Sequence, residues 1–117
     1  MDAEELKQRT KYFALSIMKL IDSLPKTRSV DVVSKQLLRS STSIGANYRA
    51  ACRARSRADF ISKITIVEEE ADESMYWLEL IHAMDTHETG AIAQLMKEAN
   101  ELTAIFTASG KTAKIHR

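Results

Sequence analysis

A single proline, Pro25, and three glycines are all the backbone punctuation that 117 residues carry. A β protein of this length needs frequent turns, and pairs such as Asn-Gly to make them. This chain has no such pair, and its apolar residues recur every three or four positions instead of alternating. Helices must therefore make up nearly all of it. A folded chain of this length buries roughly two thirds of the surface its unfolded form exposes, so one domain around one core is expected.

The punctuation divides the chain into four helices, expected at about residues 3–24, 30–55, 57–84 and 88–109, with a basic, fraying tail at 110–117. Pro25 stops the first, because a proline inside a helix lacks a donor and clashes with the preceding turn. Its inward stripe reads Leu6, Thr10, Phe13, Ile17, Leu20, Leu24. Ser29 is the expected N-cap of the second helix. Ser56, with Asp59 three residues on, resembles a capping box for the third. That helix presents Phe60, Ile64, Val67, Ala71, Met75 and Leu78 at helical spacing. "DTHETG" offers two threonine caps before the fourth, whose stripe is Ile92, Leu95, Ala99, Leu102, Phe106. Short connections make neighbours antiparallel. The fold expected is all-α, an up-down-up-down four-helix bundle.

"QLLRSSTSIGANYRAACRARSRADF" looks at first too polar for a core helix. On a helical wheel, Val30, Val33, Leu37, Ser40, Ile44, Tyr48 and Ala51 nevertheless share one face, with Asn47 at its edge. Ser40 and Ser41 are then small inward residues that admit a neighbouring helix closely, their hydroxyls bonding back to carbonyls one turn earlier. A catalytic reading is weaker. One glycine is too few for a phosphate cradle, and no histidine lies nearby as base. Cys52, flanked by Arg49, Arg53 and Arg55, is better read as a helical filler than as a nucleophile. As the only cysteine it excludes an internal disulfide and fits a reducing compartment. No apolar run approaches the ~20 residues of a membrane span, and "MDAEELKQRTKYF" has no signal-peptide core, so a soluble cytoplasmic protein is expected, with no membrane partner.

The run from Leu24 to Ile81, "QLLRSSTSIGANYRAA" followed by "SRADFISKITIVEEEADESMYWLELI", resembles the four-helix bundle family of proteins encoded in intervening sequences of bacterial large-subunit ribosomal RNA genes. Many members carry Glu-Gly some residues after the asparagine, where this chain has Tyr48-Arg49-Ala50-Ala51-Cys52. The resemblance implies a homopentameric ring without known catalysis. It also implies a likeness to the accessory protein of diversity-generating retroelements, a nucleic-acid-binding partner of a reverse transcriptase.

Charge is divided along the chain. From Lys26 to Lys63 nine basic residues meet two acidic ones, net +7, and from Ile64 to Glu101 ten acidic residues meet one basic, net −9. Lys35, Arg39, Arg49, Arg53 and Arg57 lie roughly 140° to 220° from Ile44 at about 100° per residue, a candidate nucleic-acid-binding stripe for RNA or DNA. With Ile64 as origin, Ile66, Trp77, Leu80 and Met84 point away from the core among Glu69, Glu70 and Glu73, and are the expected oligomer interface. Unlike faces that meet head to tail close into a ring when the rotation permits. The bland alternative is a set of solvated ion pairs within one chain. Glu79-x-x-His82 has the spacing of a di-iron pair, with His82 inward, but helices one and four supply no second pair. No metal and no cofactor are expected, and no enzyme activity. Two functions remain: an oligomeric scaffold that binds nucleic acid or a nucleic-acid enzyme, or a protein-binding oligomer whose basic stripe is the subunit contact.

Overall fold

The computed structural model describes residues 1–84 and 89–115, and consists of α1 (Ala3–Ser23), α2 (Arg28–Cys52), α3 (Arg57–Ala83) and α4 (Thr89–Ile115). Helices of 21 to 27 residues are about 32 to 40 Å long at 1.5 Å per residue. The molecule measures 48 × 21 × 21 Å, so each helix must double back on the one before. α1 packs chiefly on α2, α2 on α3 and α3 on α4, with a lesser contact between α1 and α4.

Side-chain caps set where helices begin. Asp2 accepts from the Glu5 N–H at 2.8 Å, and Ser56 from the Asp59 N–H at 3.1 Å. The Asp59 carboxylate reaches back to the Arg55 N–H, one residue before the usual capping-box position. The cap of α2 is Thr27, not Ser29: its hydroxyl accepts from Val30 and its carbonyl from Asp31, which leaves Ser29 exposed inside the first turn. The chain re-enters helix as soon as Pro25 and Lys26 are passed. α2 also stops earlier than expected, at Cys52, where the Arg53 N–H turns to the Ala50 and Ala51 carbonyls. α4 stays helical to Ile115 instead of fraying from residue 110. Gly110 lies beside Ile64, and a lone glycine in a helix costs only about 1 kcal/mol. Of the expected threonine caps, Thr86 lies outside the described residues and Thr89 opens α4.

The core is the stripe read from the sequence, with Leu6, Phe13, Ile17, Leu37, Ile44, Ile64, Val67, Leu78, Ile92, Leu102 and Phe106 among its buried members. Phe60, Met75 and Leu95 pack against it half-buried. The polar stretch of α2 answers two neighbours. Toward α3, Ser40 Oγ lies 2.9 Å from Ser74 Oγ, and each hydroxyl also reaches a carbonyl one turn back, Leu37 and Glu70. Toward α1, a Cβ at Gly45 would stand 3.2 Å from Thr10 Oγ1, so the absence of a side chain sets the spacing between the helices. Gly45→Leu should separate α1 from α2 and lower stability by about 1 to 3 kcal/mol in urea titration. Gly45→Ala should change it little, because its gain in helix propensity opposes that tight contact.

Candidate interaction surfaces

The five cations expected to form one stripe are divided by the fold. Lys35 pairs with Asp31 at 3.1 Å on its own helix. Arg39 crosses to α3, donating to Glu70 at 2.9 Å and to Glu73, and the hydrogen bond to Glu70 chiefly holds its guanidinium pKa above the ordinary value. Half-exposed pairs of this kind contribute about 0 to 1 kcal/mol each, yet they neutralise the middle of the stripe. Arg49, in the last turn of α2, Arg53, its C-cap, and Arg57, the first residue of α3, carry no ion pair among the described residues. Arg57 is therefore not on the α2 stripe at all. Because α2 ends three residues early, the remaining three arginines gather at a corner.

That corner is more basic than α2 alone. Arg55 is exposed in the turn, and the Lys63 side chain and the Arg55 N–H both bond Asp59, holding its carboxyl below the usual range. Ile64 lies against Gly110, and Arg57 and Phe60 share a shallow groove with Ala108, Ser109 and Thr112, so the end of α4 with Lys111 and Lys114 lies beside the start of α3. On the other flank Lys11 and Arg49 line a groove between α1 and α2 with Thr42 and Gly45. In the core, where the Tyr48 ring packs on Phe106, burial foremost and the neighbouring Cys52 push the Tyr48 hydroxyl pKa up.

The apolar face of α3 is also redrawn. Ile66 is 41% exposed, as expected, but Trp77, Leu80 and Met84 are half-buried and packed on the core. A straight wheel drifts by about 20° per heptad from a bundle seam, and Trp77 and Met84 lie two to three heptads from the Ile64 origin. The accumulated rotation brings them toward the flank on which Ser74 meets α2. The same drift carries His82 off the seam, and it is exposed. No cluster of His, Cys, Asp or Glu among the described residues could hold a metal. In place of Trp77, Tyr76 is the exposed ring, 52% accessible, stacked edge-on against Trp77 at 5.0 Å. The Trp77 indole N–H finds no acceptor among the described residues.

A second apolar row is absent from the sequence-based expectation. Tyr12, Leu15 and Met18 stand 72%, 51% and 39% exposed on α1, with Lys11 and Lys19 adjoining them in sequence. Its i, i+3, i+6 spacing is a readable signal, but the buried stripe of the same helix is the stronger one and masks it. Beside Tyr12, which shares one shallow groove with Arg9 and another with Glu98, α1 and α4 are held together by Arg9, which donates to Glu98 at 2.6 and 2.7 Å. No described helix is long and apolar enough to cross a membrane.

Comparison with known proteins agrees with this architecture. A crystal structure from Bacteroides thetaiotaomicron VPI-5482, a protein of unknown function from the S23 ribosomal protein family, superposes with a TM-score of 0.80. The two share 39% identity over 90% of this chain and 97% of the other. No curated protein matches. The family described as 23S rRNA-intervening sequence protein matches residues 4–108, nearly the whole bundle. With the four helices, the small-residue seam and this match taken together, the chain belongs to the 23S rRNA-intervening sequence protein family.

Proposed function

We propose that the protein is a non-catalytic, cytoplasmic, homo-oligomeric scaffold, a ring of five copies, that holds nucleic acid or a nucleic-acid enzyme such as a reverse transcriptase through exposed basic residues. The observation that carries the assembly is a pair of unlike apolar faces. One is the Tyr12, Leu15, Met18 row beside Lys11 and Lys19; the other is Ile66 and Tyr76 on α3 among Glu69, Asp72 and Glu79. Exposed apolar residues rimmed by charge favour a protein contact, and opposite rims favour an unlike pairing that closes on itself.

Light scattering tests this. Five copies of a 13.2 kDa chain give about 66 kDa. Ile66→Glu with Tyr76→Glu should reduce the mass to that of one chain while circular dichroism stays helical. Trp77 and Leu80 are poor targets, because charge there would enter the packing of the bundle. A double variant that keeps the wild-type mass would place the contact elsewhere. A protein-binding oligomer whose arginines lie inside the subunit contact is the other reading. It predicts that Arg49→Glu with Arg53→Glu dissociates the ring, whereas the scaffold reading predicts that it does not.

A further inference from the structure

We propose that one end of the bundle, made by the last turn of α2, the α2–α3 turn, the start of α3 and the end of α4, seats the phosphate backbone of a double-stranded nucleic acid without reading its sequence. The proposal rests on the nucleic-acid part of the function above and names its surface, which is an end cap and not a stripe along α2.

Six exposed cations, Arg49, Arg53, Arg55, Arg57, Lys111 and Lys114, occupy this end, and none is ion-paired among the described residues. Lys11 extends them into the adjoining groove. The basic residues of the middle of the chain and those of its far end are more than fifty positions apart in sequence, and only the doubling back of α3 and α4 unites them. Helix dipoles do not account for the number. A helix end is favoured by a cation in its last turn, which explains Arg49 and Lys114 but not the other four. Acids at this end are either engaged or at its α1 edge: Asp59 is held by Lys63, Glu4 pairs with Lys7, Asp2 caps α1, and Glu5 stands exposed beside them in the first turn of α1. Arg39 of α2 shows the contrast, since it is paired across the helix contact with both Glu70 and Glu73 of α3.

The bundle is 21 Å across. A duplex carries one charge per roughly 1.7 Å of axis with both strands counted, so this width spans about a dozen phosphates, of which those on the near face can meet the cations. Among the described residues no freely exposed aromatic ring lies among the six cations: Phe60, beside Arg57, is half-buried against the core, and Tyr48, next to Arg49, is buried. Base stacking on a single strand is thereby disfavoured, and backbone contact favoured. An anionic membrane also presents dense phosphate, but firm surface binding there combines charge with buried apolar area, and among the described residues this end exposes only Met1 and Ile115 as large apolar side chains.

The test is fluorescence anisotropy with labelled 20-base-pair RNA and DNA duplexes, one matching single strand, and phosphatidylserine vesicles, across a salt series. Wild-type protein should bind duplex more tightly than the single strand or the vesicles, with log K falling against log salt at a slope of about −3 to −5. Arg53→Glu with Arg55→Glu should weaken binding at least ~10-fold and flatten the slope by about 2, whereas Lys97→Glu, an exposed cation of α4 away from this end, should bind as wild type. The ratio of RNA to DNA affinity identifies which duplex is preferred, and binding to either supports the surface. Absence of duplex binding at low salt, unchanged binding by the double variant, or preference for single strand or vesicles overturns it. Circular dichroism and light scattering on each protein keep the two readings separate: a monomer that binds duplex overturns the ring alone, and a ring that does not bind overturns this surface alone.

Discussion

Ile44→Ala is expected to lower the unfolding free energy by about 2 to 5 kcal/mol, and Leu38→Ala by less than about 1. The two residues stand six apart on the same helix, are close to equal in volume, and differ in where the wheel turns them. Ile44 is fully buried in the core cluster, whereas Leu38 is 37% exposed. Truncating Ile44 removes its transfer energy and leaves a cavity that rigid helices cannot fill, while water already reaches Leu38. Urea denaturation with an unchanged m-value is the measurement. Equal losses at the two positions would mean that α2 is rotated from the orientation described.

The second large effect is expected at Ser40. Ser40→Leu should cost about 1 to 3 kcal/mol or more, because its side chain is wholly buried and its hydroxyl is 2.9 Å from that of Ser74 across the α2–α3 contact. A leucine there has nowhere to go unless the two helices part. Thr42→Leu, two positions on and half-exposed, should change stability by no more than about 0.5 kcal/mol. Ser40→Ala should be milder than Ser40→Leu, since Ser74 keeps its bond to the Glu70 carbonyl. A stable Ser40→Leu variant would show that the contact can widen, and that small residues are not what sets the distance between α2 and α3.

Both expectations concern residues whose orientation follows from helical period alone. The stripe from Val30 to Ala51 runs through four hydroxyl residues and a glycine, and the period carries it across them unbroken. Ser40 and Ser41 bond to carbonyls one turn back as that placement requires. Asn47 at the edge likewise donates to the Ser43 carbonyl at 2.9 Å. The departures have a common form, a local rule extended past the point where a neighbour takes over. Thr27 displaces Ser29 as a cap because two hydroxyl residues follow Pro25 and the chain resumes helix at the first. Trp77 and Met84 turn toward the core because packing rotates α3 over several turns, and a straight wheel omits that rotation.

Local periodicity determined the four helices and the residues of the core, and Ser56 was legible as a cap, since the hydrogen-bonded backbone repeats every 3.6 residues whatever lies beside it. Which charges are free is a different kind of question. Arg39 and Arg53 are alike in sequence, both exposed on the wheel and both followed by small residues, but Arg39 meets acids 31 and 34 positions away while Arg53 meets none among the described residues. The grouping of Arg49 to Arg57 with Lys111 and Lys114 has the same origin, because it exists only where α4 returns to the start of α3. Pairing depends on which helices are neighbours and on the supercoil that turns their faces, and those are properties of the packed bundle.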